Sequence, residues 1–171
     1  MGVDLSDYEQ RLKVRALTAA DYEAVKALQL LCFPGMQPWT RAQFESQVSI
    51  FPEGQIGVDL DGDLVASSSS LIVDFDLYSD WHDWMKISGS GTIRNHDPEG
   101  DMLYGIEIMV HPNHRGKRLA RRLYEARKRL VRERNLKGIV IGGRIPVFAK
   151  YKDSMTAREY VRKVQDKTLH D

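Results

Sequence analysis

One carboxylate, Glu107, stands inside an otherwise apolar run, Met102-Leu103-Tyr104-Gly105-Ile106-Glu107-Ile108-Met109-Val110. A charge in such a strand is unfavourable without a purpose, which is either pairing with a nearby basic residue or proton transfer. Shortly after comes His111-Pro112-Asn113-His114-Arg115-Gly116-Lys117-Arg118-Leu119-Ala120, which joins the run to a basic, helix-forming segment. The first N–H groups of a helix have no intrahelical partner, and together with the helix dipole they favour an anion at that end. Gly116 allows close backbone approach to a ligand, and Arg115, Lys117 and Arg118 add positive charge around it. A pyrophosphate suits such a turn. His111 and His114 flank it and read as surface residues or additional phosphate contacts. The single cysteine, Cys32, lies in Leu30-Leu31-Cys32-Phe33 and reads as a small core residue rather than a nucleophile.

The elements that must position these groups follow from periodicity and punctuation. Residues 11–16 form a strand candidate, and Thr18-Ala19-Ala20-Asp21 starts a helix with Val25, Leu28 and Leu31 at helical spacing. Pro34-Gly35 stops it, and Thr40 caps a second helix with Phe44 and Val48 on one face. Residues 55–60 and 64–74 read as a hairpin around Asp61-Gly62-Asp63. Residues 75–101 look irregular, a length that is usually functional. The strand 102–110 ends at Pro112; a helix is predicted over 115–135, with Leu119, Leu123, Ala126 and Leu130 on one face. An apolar strand at 138–142 follows, and Thr156-Ala157-Arg158-Glu159 caps a last helix.

With 171 residues the chain is sized for one domain, read as a short tail at 1–10 and a domain over 11–171. No apolar run has membrane-spanning length, and no secretory signal is visible. Met1-Gly2-Val3-Asp4-Leu5-Ser6 fits the loose myristoylation pattern, but nothing nearby supplies the second signal that stable anchoring needs. One cysteine builds neither a disulfide framework nor a thiolate metal site, so a cytoplasmic setting without a metal is expected. Net charge is +1, yet residues 115–137 hold eleven Lys and Arg against Glu125 and Glu133, which leaves the remainder acidic. Such concentration points to a local anionic ligand rather than a generally adhesive surface.

The segment Val110-His111-Pro112 followed by residues 115–120 resembles the acetyl-CoA-binding motif of the GNAT superfamily of N-acyltransferases. That motif is Arg or Gln, two residues, Gly, one residue, then Gly or Ala. Arg115 and Ala120 match; Arg118 replaces the middle glycine, where a helical arginine still donates its backbone N–H. The resemblance extends from residue 11 to about 143 and implies an α/β, three-layer αβα fold with a mixed, largely antiparallel sheet. It implies acetyl-CoA bound by Met109, Val110, Arg115, Gly116, Lys117, Arg118, Leu119 and Ala120, with the pantetheine arm between residues 107–110 and 139–143. The amides of Met109 and Val110 would polarise the thioester carbonyl. Glu107 would be the base that takes a proton from the amine acceptor, sharing a strand face with Gly105 and Met109.

A tyrosine beyond the fifth strand would reprotonate the leaving thiolate; Tyr151 is the candidate, with Tyr160 also in that region. Residues 33–39 and 75–101 would line the acceptor pocket, where Trp39, Trp81 and Trp84 could form walls. The family's last two strands are missing from a C-terminal stretch that reads as helical, which leaves an uncovered strand edge. The chain also looks like the acyltransferase domain fused ahead of nitrilase-type carbon–nitrogen hydrolases. A fused hydrolase domain or a second copy is therefore an expected partner, as is an amine acceptor; a nucleic acid is the weaker alternative for the basic helix.

Overall fold

The computed structural model describes residues 11–143 and 145–170; the tail and its lipidation pattern lie outside the described residues. The chain divides into two compact units, Met1–Ile141 and Gly142–Asp171. The first contains β1 (Leu12–Ala16), α1 (Tyr22–Cys32), α2 (Arg41–Ile50), β2 (Ile56–Leu60), β3 (Asp63–Val73), α3 (Trp84–Ile87), β4 (Met102–Val110), α4 (Leu119–Glu133) and β5 (Gly138–Ile141). The second contains a 3-10 turn, Pro146–Lys150, and α5 (Ala157–Gln165). The strands form one sheet in the order β1-β2-β3-β4-β5, antiparallel except for the parallel β4–β5 pair.

The caps read from sequence do close helices. The Thr40 hydroxyl accepts from the Gln43 N–H at 3.2 Å, and the Thr156 hydroxyl accepts from the Glu159 N–H at 3.3 Å. Thr18 and Asp21 form a capping box around a 3-10 turn that leads into α1. Arg15 of β1 holds Asp21 at 2.8 Å and Asp59 of β2 at 2.6 Å, fixing where α1 leaves the sheet. Leu119, Leu123 and Ala126 of α4 pack on Val58, Val65 and Ala66 on one face of the sheet. Val25 and Leu28 of α1 and Phe44 of α2 pack with Leu71, Val73 and Met109 in the second cluster.

Two segments differ from the sequence expectation. The span 75–101 contains a 3-10 turn and the four-residue α3, capped by Asp83, an element too short to show a helical period. Its later part is tied to the first half of the chain: Gln47 Nε2 donates to the Gly91 carbonyl at 2.6 Å, and Ser46 donates to the Thr92 carbonyl at 2.7 Å. The second difference is that α4 begins at Leu119, not at residue 115. Gly116 at φ +80 and Arg118 at φ +59 both lie in the left-handed region, so a right-handed helix cannot run through them. Among the described residues no strand pairs with the outer edge of β5.

Candidate active site

The centre of the site is a break in the β3–β4 ladder. Ser69 pairs with Glu107 but Ser70 pairs with Gly105, which leaves Ile106 as the extra residue of a β-bulge. The bulge reverses the phase of the strand. An added Cβ on Gly105 would meet the guanidinium of Arg127 on α4, whereas the Glu107 carboxyl is held from α1, its Oε2 accepting from Gln29 Nε2 at 2.8 Å. Glu107 therefore does not share a face with Gly105, as simple alternation had implied.

The Gln29 amide is itself fixed from the other side. Its Oε1 accepts from the backbone N–H of Trp39 at 3.0 Å, so one side chain links Glu107 to the connection between α1 and α2. Burial drives the Glu107 carboxyl up from its ordinary range to about 7, while the Gln29 hydrogen bond and the Arg127 charge pull the other way. A carboxyl poised near neutrality changes protonation at the pH where an ammonium must be deprotonated.

Below the bulge β4 pairs in parallel with β5 from Met102 to Gly105; beyond it, residues 106–110 have no β5 partner, so the two strands part there. The His111 N–H donates to the Val65 carbonyl at 2.9 Å, which fixes the hydrogen-bonding phase of β4. By antiparallel alternation the Met109 N–H is used against β3, and the Val110 N–H points away from it, toward the opened side. Of the two amides expected to face a thioester, Val110 supplies the available one and Met109 does not. The Val110 carbonyl accepts from the Cys32 thiol at 3.3 Å and from Arg115 Nε at 3.4 Å. Cys32 is half-buried; desolvation raises its thiol above the usual range, in keeping with a packing role.

The turn at residues 115–120 fits a pyrophosphate. Among the described residues, no backbone partner is found for the N–H groups of Gly116 to Arg121. Nothing lies within 4 Å of a Cβ placed on Gly116, so the turn is open to a ligand there. Arg118 is the cap of α4 in the left-handed conformation (φ 59, ψ 21), not a helical residue as the sequence suggested. The motif's usual glycine at this point has a conformational reason, and here a side chain accepts strain of about 1–2 kcal/mol. The turn also orders its own histidines: His111 Nδ1 accepts from the Asn113 N–H at 3.2 Å, and His114 Nδ1 lies 3.3 Å from Lys117 Nζ. Leu119 is fully buried, so only its backbone is available to a ligand. Further along α4, Arg121, Arg122, Arg129 and Arg132 continue from Arg118 along a groove beside Val14.

The aromatic residues divide. Trp39 is core, its carbonyl accepting from the Tyr22 hydroxyl at 3.2 Å. Trp81 is 82% exposed, and the partly exposed Trp84 donates from Nε1 to the Ile106 carbonyl at 3.2 Å, on the bulge itself. In the second unit, Tyr151 packs against Tyr160 at a ring separation of 5.5 Å, and Tyr160 against Phe148.

Three groups near the site were missed in the sequence. Gln29 and Arg127 each occupy the buried stripe of an amphipathic helix, Gln29 four residues after Val25 and Arg127 four after Leu123; a polar residue in an apolar stripe was the available signal. The third is a Tyr104–His82 pair, which no local pattern marks. His82 Nδ1 lies 2.7 Å from the Tyr78 carbonyl and must carry the proton there, so in the neutral ring Nε2 accepts from the Tyr104 hydroxyl at 3.0 Å. Among the described residues, no group of three or more His, Cys, Asp or Glu is placed to hold a metal ion, and no helix is long and apolar enough to cross a membrane.

The sequence model of the acetyltransferase (GNAT) family matches residues 22–146. The chain is 46% identical over 169 residues to the probable hydrolase YhcX of Bacillus subtilis (strain 168), covering 99% of this chain and 33% of that protein. It is 34% identical to the uncharacterized N-acetyltransferase YkwB of the same organism, over 95% of this chain and 74% of that one. The chain thus spans about a third of the first relative and about three quarters of the second. Among solved structures, the loading GNATL domain of CurA from Lyngbya majuscula superposes with a TM-score of 0.73 at 16% identity, covering 85% of this chain and 70% of that one.

Proposed function

The chain belongs to the acetyltransferase (GNAT) family, whose enzymes take their acetyl group from acetyl-CoA, and on that footing we propose transfer to a primary amine by direct attack in a ternary complex. The observation that carries the reading is the Glu107 carboxyl, tuned to about 7 and held at the bulge where β4 leaves β5. The turn at 115–120 binds the pyrophosphate through its free N–H groups and flanking cations. Glu107, directly or through one water, accepts a proton from the ammonium of the acceptor. The free amine nitrogen then bonds to the thioester carbonyl carbon, the carbon–sulfur bond breaks, and the second nitrogen proton leaves through water as the amide forms. The Val110 N–H stabilises the negative charge that gathers on the carbonyl oxygen. Tyr151 is the proposed proton donor to the departing thiolate. The acceptor enters between the α1–α2 connection and the segment carrying Trp81 and Trp84. The protein works in the cytoplasm.

Acetyl-CoA should raise the melting temperature, and Arg115→Ala with Gly116→Pro should remove the rise. Thiol release from acetyl-CoA across a panel of polyamines, aminoglycosides and peptide N-termini then identifies the acceptor. Absence of stabilisation by any acyl-CoA would refute the reading.

A second reading has support in YhcX, a probable hydrolase of which this chain matches a third. In it, the domain senses coenzyme A on behalf of a fused hydrolase and performs no transfer. Tight acetyl-CoA binding with no thiol release across the panel, and no change in Glu107→Gln, would select it. The basic groove on α4 would favour nucleic-acid binding only if salt-dependent binding persisted in Gly116→Pro.

A further inference from the structure

Arg127 is the least expected side chain in the molecule. It belongs to the most basic segment of the sequence, yet it is only 1% exposed. No salt bridge to a carboxylate is formed by it among the described residues. Its Nη2 instead donates to two backbone carbonyls, Ser69 at 2.9 Å and Glu107 at 2.7 Å. Those residues are the last regular pair before the bulge. Room for the guanidinium comes from Gly105, where a Cβ would lie 2.8 Å from Nη1 and 2.9 Å from Cζ. Burying a guanidinium is costly unless its donors are used, and Nε has no partner among the described residues. A leucine would fill the same helical position and complete the apolar stripe of Leu123, Ala126 and Leu130. The arginine is therefore not explained by packing.

We propose that Arg127 is a positioning residue for the Glu107 carboxyl: it clamps the two carbonyls at the edge of the bulge, and so holds residue 107 in the strand phase that faces Gln29. The inference rests on the assignment of Glu107 to the site. Without the bulge, alternation would turn residue 107 to the α4 side, where Gly105 lies. The clamp acts through the backbone, so the carboxylate remains available to other partners. The cation also bears on the carboxyl electrostatically. Among the described residues, the Tyr124 ring on α4 lies 5.7 Å from the Arg127 guanidinium, and the Cys32 thiol from α1 also interacts with the Glu107 charge, with Arg115 beyond it.

The test uses the full chain labelled for NMR and compares Arg127→Met, Arg127→Lys and Gly105→Ala. The last variant displaces the guanidinium without deleting it, which covers the case in which Arg127→Met does not fold. Two signals report the geometry: the side-chain amide of Gln29, assigned with Gln29→Glu, and the titration of the Glu107 carboxyl carbon, assigned with Glu107→Gln. In Arg127→Met and Gly105→Ala the Gln29 amide should lose the shift that depends on Glu107, and the titration midpoint should move by about one pH unit or more. Arg127→Lys, which keeps a donor to the carbonyls, should stay nearer the parent. A purely structural arginine would lower the urea midpoint and leave both signals in place, and that result in a folded variant would overturn the proposal. Unchanged thiol release from acetyl-CoA in Glu107→Gln would instead remove the base assignment while leaving the positioning result as measured.

Discussion

Replacing Glu107 by Gln should make the protein more stable at alkaline pH and change little at acid pH. The variant keeps an acceptor for Gln29 and removes only the ionisation. In the folded protein the carboxyl titrates at about 7 against an ordinary value of 4.5, with burial the main cause. Because the folded state holds the proton more tightly, the parent loses stability as pH rises from 4.5 to 7, and the loss is complete above 7. At 1.36 kcal/mol per pH unit that interval amounts to about 3 kcal/mol, and because residue 107 as a whole is only partly buried the expectation is about 2. All three tryptophans, Trp39, Trp81 and Trp84, lie in the first unit, so fluorescence in urea reports the unit that contains Glu107. Unfolding of parent and variant at pH 5 and pH 8.5 gives four free energies, and other titrating groups cancel in the difference. A variant-minus-parent difference that is the same at both pH values to within about 0.5 kcal/mol would refute the account of the carboxyl as a buried, proton-retaining group.

The remaining predictions concern turnover and the cradle. With an acceptor in hand, kcat/KM of the parent should fall on the acid side of about pH 7, and Glu107→Gln should lose that limb together with at least tenfold in rate. Arg118→Gly should relieve the left-handed strain and raise stability by about 1 kcal/mol in urea, while acetyl-CoA binding weakens in calorimetry through loss of a cation. Gly116→Ala meets no atom within 4 Å, so its destabilisation should be conformational, about 1 kcal/mol, with a smaller thermal shift on adding acetyl-CoA. Trp84→Phe removes the indole hydrogen bond to Ile106 and should raise KM for the amine while leaving KM for acetyl-CoA unchanged.

The sequence exposed the elements that repeat or punctuate. The hairpin turn at Asp61-Gly62, the caps Thr40 and Thr156, and the run ending at Val110 all carry local signals, and each appears within a residue or two of its expected place. Hidden features depend on contacts between distant segments. The bulge at Ile106 is an extra residue in one strand, and a period-two pattern cannot display it without the partner strand. The partners of Glu107 come from Gln29 and Arg127, far away in the chain and visible only as polar intruders in helical stripes. The start of α4 is hidden because Arg118 is a good helix former occupying a conformation that glycine would normally supply.

The bond between Gln29 and Glu107 has a direction as well as a length. Trp39 N–H donates to Gln29, and Gln29 donates onward to Glu107 Oε2, so both bonds point toward the carboxyl. An amide turned around would set donor against donor at Trp39 and lone pair against lone pair at Glu107. Oε2 is therefore occupied as an acceptor in every protonation state that preserves this chain. The exchangeable proton is better held on Oε1, the oxygen that Gln29 does not engage, which makes the two oxygens of one carboxyl chemically distinct and gives the base a preferred side from which it works.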